Sequence, residues 1–584
     1  MSEAVWAIRD FDPEADSTLP ARAVCEASFV ADRVLRLGGK FGTEQPKYQP
    51  VSTCLSIVEQ IGAYYRRNQG RISPRKECLR LIDGGGPECV RELLRALDPA
   101  WQDHAIACVY AVLLPSAKRR RLGIYFTPPH LVSHLLGRMR HLGLDLSHHR
   151  MRDPSAGGAA FIVPLAREMV SRWRSEGIGG REVVFRLRAR LIGCEIDPGL
   201  ASVANALLRR MLTREFAIPL NSVRGLALIS VGDSLQHAKA RAVEHEVGNP
   251  PYVRLAANRH KRWKTAFGDI ASGRLNLYAM FIRRALDNVP PGGLVGYVVP
   301  SSFLGGPEFS AFRRRLVQLA DVLVLDVVEK RRAVFLDAIQ DTCFLILRRR
   351  VAAHVNPSLS MPSSGVLCHD GKFVDQGQAI LSMDGTPWSL PGGDLSVPIA
   401  TLADYGYRGT VGHLVANREP FRLFRRAARD RLPLVWAKCI TPEGRFDFER
   451  GRASEKAAGR AFVQVAKDAT YAVRVPCVLV QRTSSRSQSR CLTAAAVSQA
   501  FLKRHRGIVG ENHVIILIPI RSDAVSTRDL AAVLNGKQAN AALARVSGSA
   551  SISVRLLERI DLPLPTQKML QGRTRVRTSR RISQ

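Results

Sequence analysis

Apolar residues recur at helical spacing in the first part of the chain, in VSTCLSIVEQIGAYY (51–65) and VRELLRAL (90–97). This spacing predicts amphipathic helices that pack on one another. From about residue 120 to 350 the pattern changes, and short apolar runs alternate with longer amphipathic stretches. Such alternation predicts βαβ units and a mainly parallel sheet, so the fold class is α/β.

The apolar runs of this middle part are the predicted strands: RLIGCEID, LALISVGD, GGLVGYVVP, DVLVLDVVE and TCFLILRRR. A further strand is expected just before Asp153, although its pattern is poorly marked. Beyond these runs the composition changes to Ser, Pro and Gly (PSLSMPSSG, TPWSLPGGD), which predicts a loop or linker. The predicted organisation is a helical N-terminal region (1–118), an α/β domain (119–351), the linker (352–395), a mixed α+β region (396–566) and a basic tail (567–584).

The charge of the chain indicates its class of partner. Among 584 residues, 86 are Lys or Arg and 51 are Asp or Glu, which gives a net charge of +35. Nucleic acid is the natural partner of such a protein, because each Lys or Arg that meets a phosphate releases a counterion. An Arg-rich proteome, which would bias every surface, is the alternative explanation.

Other classes of protein are not indicated by the sequence. There is no run of 18 apolar residues to span a membrane, and the start MSEAVWAIRD lacks the parts of a signal peptide. The 11 cysteines are scattered without a CxxC pair, which argues against a zinc site or a disulfide framework. We therefore expect no membrane partner, no metal and a location in the reducing cytoplasm.

The motif with the clearest chemistry is Gly248-Asn249-Pro250-Pro251-Tyr252. It follows a predicted strand, and open α/β sheets bind ligands beyond the carboxyl ends of their strands. The prolines fix φ at about −65° and stiffen the segment, so the Asn249 amide and the Pro250 carbonyl are held in place. Both are acceptors for an exocyclic amine with two N–H donors, and the Tyr252 ring can stack on a base. Alone, however, Asn-Pro is an ordinary turn signal.

Four acidic residues lie at the ends of other predicted strands. Asp153 begins a run of small residues that opens a helix and lets the backbone approach a ligand. Glu195 suits the binding of ribose hydroxyls, as in the related dinucleotide fold, whereas Asp197 suits a helix N-cap ahead of Pro198. For Asp233, contact with an adenine amine and N-capping remain equal alternatives.

The order of these pieces resembles the DNA amino-methyltransferases that carry NPPY, in the group whose target-recognition domain comes last. Further matches are GIYFTPP (123–129), NLYAMF (276–281) and GGLVGYVVPSSF (292–303). The resemblance is good over about residues 120–350 and looser to about 566. It implies a Rossmann-like methyltransferase domain with a mostly parallel seven-stranded sheet, followed by a target-recognition domain at 396–566.

This resemblance also implies a reaction, namely methylation of the N6 amine of a flipped adenine in double-stranded DNA, with S-adenosylmethionine as cofactor. The implied cofactor contacts are Tyr125, Thr127, Asp153, Pro154, Ala156, Gly157, Glu195 and Asp233. The implied catalytic residues are Asn249, Pro250, Pro251, Tyr252 and Phe335. For Phe335, a second aromatic against the flipped base and a core position are equal alternatives. A separate restriction endonuclease is a candidate partner, because such enzymes serve restriction-modification or phage-defence systems.

The sequence departs from the family pattern at two places. Gly157-Gly158-Ala159 replaces the usual Gly-x-Gly, so Ala159 would be strained if that position needs a positive φ. The strand before NPPY is usually apolar, yet residues 244–247 read EHEV.

Four other functions fit parts of the pattern. Protein glutamine N5-methyltransferases also carry NPPY, but they are much shorter and lack a large basic C-terminal domain. DNA cytosine N4-methyltransferases favour Ser where Asn249 stands. A catalytically silent DNA-binding subunit is supported only by Ala159. A fused nuclease is not indicated, because residues 1–115 contain no Glu-x-Lys.

Overall fold

The computed structural model describes residues 51–571 except 69–71, 237–242, 256–262, 329–340, 352–360, 369–370, 392–398, 416–421, 455–459, 467–468, 484–489 and 547–551. The interpretations of residues 1–50, of Phe335 and of the tail beyond 571 lie outside these ranges. Within them, every helix is too short or too polar to span a membrane.

The N-terminal helices follow the predicted apolar spacing. They are α1 (Val51–Asn68), α2 (Pro74–Ile82), α3 (Glu88–Arg95), α4 (Pro99–Leu113) and α5 (Ser116–Leu122). Ser73 and Asp98 cap α2 and α4, each directly before a proline that starts the helix. The hydrophobic core is continuous from Ile57 in α1 to Met151 and Phe344 in the sheet. The N-terminal helices and the sheet are therefore packed as one unit.

A nine-stranded sheet forms the centre of the α/β domain, with the order β3-β2-β1-β4-β5-β7-β6-β8-β9. Its strands are β1 (Met151–Asp153), β2 (Leu191–Glu195), β3 (Ile229–Val231), β4 (His245–Gly248), β5 (Leu294–Pro300), β6 (Ala320–Val328), β7 (Thr342–Arg349), β8 (Ser363–Leu367) and β9 (Phe373–Gln378). Strands β1 to β5 are parallel, and β7 lies antiparallel between β5 and β6. The predicted Rossmann-like, mostly parallel sheet is thus confirmed.

Helices cover both faces of this sheet. They are α6 (Pro129–His141), α7 (Ile162–Ser175), α8 (Gly180–Arg190), α9 (Pro198–Phe216), α10 (Leu220–Val223), α11 (Leu277–Asn288), α12 (Ser302–Gly305) and α13 (Ser310–Leu319). Each of the first four strands leads into a loop at its carboxyl end, and these loops carry the residues predicted to form a site.

The sheet exceeds the predicted seven strands because β8 and β9 lie where the sequence predicted a loop or linker. Strand β8 pairs parallel with β6, and β9 pairs antiparallel with β8 at the edge of the sheet. Neither strand shows the apolar pattern by which the other strands were predicted, and the reason is physical. SSGVL is short and begins with Ser and Gly, whereas FVDQGQ is mostly polar and exposed, as an edge strand can be.

The C-terminal region is a mixed α+β structure, as predicted. Its strands are β10 (Ile399–Ala400), β11 (Tyr407–Val411), β12 (Leu423–Phe424), β13 (Arg431–Val435), β14 (Phe462–Gln464), β15 (Cys477–Gln481), β16 (Ala494–Val497), β17 (Val509–Gly510), β18 (Val514–Pro519) and β19 (Leu562–Pro563). Its helices are α14 (Phe448–Arg452), α15 (Gln499–His505), α16 (Thr527–Asn535), α17 (Lys537–Val546), α18 (Val554–Leu557) and α19 (Gln567–Gln571). The region has two four-stranded sheets, β11-β18-β15-β16 and β12-β14-β13-β17. The first sheet separates two apolar cores, because Val478 and Val480 of β15 lie in one and Cys477 and Leu479 lie in the other.

Candidate active site

The Asn249-Pro250-Pro251-Tyr252 segment lies directly after β4, which is flanked by β1 and β5 at the centre of the sheet. The side-chain Nδ2 of Asn249 donates a hydrogen bond to the backbone carbonyl of Tyr125 at 3.2 Å. Its Oδ1 atom is buried and has no hydrogen-bond partner among the described residues. Since buried acceptors are normally satisfied, this oxygen is available to a donor from a ligand.

Tyr252 is held by contacts on several sides. Its hydroxyl donates to the carbonyl of Val298 at 3.2 Å, its ring lies nearly parallel to that of Tyr125 with centroids 6.5 Å apart, and it meets Tyr278 edge-on at 6.3 Å. Burial also raises the pKa of the Tyr252 phenol, which therefore stays neutral. The ring is thus a fixed, partly buried apolar surface beside Asn249.

The loop after β1 approaches the neighbouring elements closely. Asp153 is buried, and its Oδ1 accepts a hydrogen bond from the Ser155 backbone N–H at 3.0 Å. A side chain at Gly158 would collide with Ala107 of α4. Ala159 has φ +64°, so the strain that the sequence predicted for a positive φ is present there. The loop therefore rests directly on the N-terminal helices.

Glu195 ends β2 and ties that strand to the loop after β1. Its Oε2 accepts a hydrogen bond from the Gly157 N–H at 2.9 Å, and its Oε1 accepts one from the Asp197 N–H at 2.9 Å. Burial raises the pKa of this carboxyl, although the backbone hydrogen bonds oppose the shift. Glu195 thus lies next to the small-residue loop, where the predicted ribose-binding role requires it.

Asp197 caps α9, as predicted, by accepting a hydrogen bond from the Leu200 N–H at 3.0 Å. It also reaches the N-terminal helices, where the Tyr110 hydroxyl donates at 2.6 Å and the Lys118 ammonium lies at 2.8 Å. Although burial raises the pKa of Asp197, the hydrogen bonds from Lys118 and Tyr110 outweigh it and hold that pKa below its ordinary value. The sequence patterns indicated the cap but gave no sign of these two distant partners.

Asp233 follows β3 and stabilises the turn that comes next. Its Oδ1 accepts a hydrogen bond from the Leu235 N–H at 3.1 Å, and its Oδ2 accepts one from the side chain of Gln236 at 2.5 Å. The structure therefore gives Asp233 a turn-capping role, while its contact with a cofactor stays a prediction.

The segment before α6 lies between the loops after β1 and β4. The Tyr125 carbonyl holds Asn249, and the Phe126 ring covers Gly157 and Gly158 at 3.4 Å from the positions that their side chains would take. The Thr127 Oγ1 atom is buried without a hydrogen-bond partner among the described residues. Tyr125 and Thr127 are thus brought to the same end of the sheet as the other predicted site residues.

One exposed apolar residue at this end was missed by the sequence analysis. Ile196 directly follows Glu195 and is 55% exposed, although its neighbours Glu195 and Asp197 are buried. An apolar residue placed immediately after the carboxylate that ends a strand is the signal that would have revealed it.

The polar residues of β4, unexpected for a buried strand, have partners inside the protein. Glu246 pairs with Arg152 of β1, and His245 accepts a hydrogen bond from the Leu294 N–H at 2.9 Å. All four residues of the strand are buried. The departure at EHEV is therefore compatible with a central strand, because β1 supplies the compensating charge.

The comparisons with known proteins agree with the motifs. Residues 246–335 match the Eco57I restriction-modification methylase family. The similarity to restriction-modification methyltransferases that the motifs implied is thereby confirmed.

Related proteins match the chain over part of its length. The type II methyltransferase M.PaeR7I of Pseudomonas aeruginosa is 29% identical over 183 residues, which are 29% of this chain and 31% of the relative. M.BsuBI of Bacillus subtilis is 27% identical over 33% of this chain and 36% of its own. The chain thus spans about a third of the length of these curated relatives. The type IIL restriction-modification enzyme MmeI, solved in complex with DNA, gives a TM-score of 0.49 and 13% identity, covering 95% of this chain and 88% of that one.

Proposed function

We propose that this protein is a site-specific DNA methyltransferase that transfers a methyl group from S-adenosylmethionine to the N6 amine of adenine in double-stranded DNA. The observation that carries the proposal is the hydrogen bonding of the Asn249 side chain. Its Nδ2 is committed to the Tyr125 carbonyl, while its buried Oδ1 remains an acceptor without a partner among the described residues. The family match at residues 246–335, which include the whole motif, supports the same chemistry.

The residues at the carboxyl ends of β1 to β4 fit the cofactor. Glu195 presents a carboxylate to ribose hydroxyls, and Ile196 offers an exposed apolar side chain to a purine face. Thr127, in the segment before α6, has a buried hydroxyl without a hydrogen-bond partner among the described residues. The small residues of the loop after β1 let the backbone approach the bound molecule. When bound, S-adenosylmethionine supplies a methyl group on a positively charged sulfur.

The chain's own residues act on the target amine. A base inside a duplex is inaccessible, so the adenine has to leave the stack. Tyr252, held by Val298 and packed beside Tyr125, stacks on the extruded base and offsets part of that cost, about 1–3 kcal/mol. Asn249 Oδ1 and the Pro250 carbonyl accept the two N6 hydrogens. This leaves the nitrogen lone pair directed at the methyl group, so catalysis rests mainly on positioning.

The experiment that tests the proposal measures transfer of labelled methyl groups from S-adenosylmethionine to duplex DNA, followed by digestion to nucleosides. We expect label in N6-methyladenine. Label in N4-methylcytosine would show instead that the enzyme methylates cytosine. Label in a protein glutamine would show that the substrate is a protein and not DNA. Absence of transfer to any duplex sequence would contradict the proposal.

We also propose that residues 396–566 select the DNA sequence. The region forms two sheets and two apolar cores that are separate from the sheet and cores of the α/β domain. This organisation is typical of a module added to a catalytic domain. Exchanging this region for that of a relative should change the methylated sequence, and an unchanged methylated sequence would disprove the assignment. A separate restriction endonuclease is the proposed partner of such a modification enzyme.

A further inference from the structure

A cleft of about 680 Å³ opens in the C-terminal region, far along the chain from the residues of the candidate active site. Its walls are formed by residues 426–427, the segment 441–447, α14 and α15. We call it the arginine cleft because four arginines line it: Arg426, Arg445, Arg452 and Arg504.

The floor of the arginine cleft is a fixed set of phenyl rings. Phe501 meets Phe446 edge-on with centroids 5.0 Å apart and Phe448 at 5.6 Å. Phe448 is buried, whereas Phe446 and Phe501 remain partly exposed to the cleft. The His505 ring packs on Phe501 at 4.4 Å. The floor therefore presents a largely apolar surface of packed rings beneath the arginines.

Among the described residues, three of the four arginines have no ion-pair partner. Arg452 binds Glu449 of its own helix at 3.1 Å, and Asp447 is used to cap that helix. No carboxylate of the described residues lies within ion-pair distance of Arg426, Arg445 or Arg504, and all three are exposed. Four arginines and two carboxylates, Asp447 and Glu449, line the cleft, so its lining carries an excess of positive charge.

We propose that the arginine cleft binds the sugar–phosphate backbone of duplex DNA. Guanidinium groups bind phosphate oxygens in a forked geometry. The phenyl rings offer an apolar surface to the deoxyribose. Base edges are read by elements that protrude into a groove, whereas a concave cleft receives the backbone that protrudes from the duplex.

This inference rests on the proposed function, because it takes duplex DNA as the substrate. It adds a division of labour within the C-terminal region: the arginine cleft supplies affinity and fixes the position of the duplex, while other residues read the sequence. Losing cleft contacts should therefore weaken binding to every duplex equally.

The test uses the full chain and a labelled duplex oligonucleotide, with binding measured by fluorescence anisotropy over a range of salt concentrations. The cleft variant is Arg445→Gln/Arg504→Gln. Its matched control is Arg181→Gln/Arg224→Gln, which removes two exposed arginines from the methyltransferase domain. Arg445→Lys/Arg504→Lys keeps the charge at the cleft. Because these side chains are exposed, we expect all variants to fold, and thermal unfolding checks this.

We expect the cleft variant to bind duplexes of different sequence about tenfold more weakly. The slope of log K against log salt should fall by about two, as for two lost phosphate contacts. The Lys variant should recover most of the slope, and the control should bind like the wild type. If the cleft variant and the control behave alike, the arginine cleft is not a DNA site and the proposed function still stands. If the wild type binds no duplex at all, the proposed function fails and this inference fails with it.

Discussion

The guanidinium of Arg152 lies 3.0 Å from the carboxylate of Glu246, across the paired strands β1 and β4. Arg152 is 4% exposed and Glu246 is fully buried. The Tyr297 hydroxyl donates a further hydrogen bond to Glu246 at 2.8 Å. The pair joins the two strands whose ends carry the small-residue loop and Asn249, so it fixes the position of one relative to the other.

Glu246→Gln should destabilise the protein strongly. The variant leaves the Arg152 charge buried without a counter-charge, which typically costs about 3–5 kcal/mol, so thermal unfolding should begin at a markedly lower temperature. The double variant Arg152→Met/Glu246→Leu removes both charges and should recover most of the loss. If the single and double variants unfold alike, the ion pair is not what the strands depend on.

Tyr110→Phe should weaken cofactor binding, although Tyr110 lies in α4, outside the sheet. It removes the hydrogen bond to Asp197, whose own N–H orients Glu195. A hydrogen bond to a charged group contributes about 1.5–3 kcal/mol. Because only part of this free energy acts on the orientation of Glu195, we expect the affinity for the cofactor to fall about 3- to 10-fold. Tyr65→Phe, which loses a similar bond to Glu77 far from the site, is the matched control. Equal affinities in calorimetry for the two variants would argue against this coupling.

Glu195→Ala should weaken S-adenosylmethionine binding by about 1–3 kcal/mol, because partners of the carboxylate are left unsatisfied. Calorimetry with the purified protein measures this directly. Glu215→Ala removes a carboxylate that pairs with Arg167 at the surface, and it should bind the cofactor normally. Unchanged affinity in the folded Glu195 variant would refute the ribose assignment.

Asn249→Ala should abolish methyl transfer while cofactor affinity stays near that of the wild type. The reason is geometric, since Oδ1 is the acceptor for the target amine, and loss of one preorganised partner lowers turnover by about 100- to 1000-fold. Tyr252→Ala should instead weaken capture of the extruded base, with a smaller effect on the chemical step. Single-turnover kinetics separate the two effects. Normal turnover by the Asn249 variant would mean that the motif is only a turn.

The contribution of Asp153 to the stability of the protein should fall as pH rises from about 4 to 8. Burial raises the pKa of this carboxyl from its ordinary value of 3.8 to about 8. In that range the unfolded chain has released the proton and the folded chain still holds it, so rising pH favours unfolding. The melting temperature of Asp153→Asn should therefore rise relative to that of the wild type as pH increases from 5 to 8. A variant whose pH profile is as steep as that of the wild type would contradict this account.

The mainly parallel sheet and the end of it that carries the site could be predicted from the sequence, because the motifs follow apolar runs in a regular alternation. The short strand β1 is expected before Asp153 but is poorly marked, since Arg152 in it is acceptable only once Glu246 is opposite. The sequence predicts a loop at β8 and β9 because β8 has only five residues and the edge strand β9 needs no apolar pattern. Tyr110 and its hydrogen-bond partner Asp197 are 87 residues apart in the chain, so no local sequence pattern indicates that they meet.

The continuous core between the N-terminal helices and the sheet limits how such a protein can be cut and recombined. A fragment starting at residue 119 would lose Ala107, on which the loop at Gly158 rests, and would expose the apolar faces that α1, α2 and α4 cover. Exchange of recognition modules between relatives therefore has a workable junction only beyond Trp388, which is buried in the core of the α/β domain together with Leu381. A boundary drawn before α6 would divide a single folding unit, and neither half would retain a formed cofactor loop.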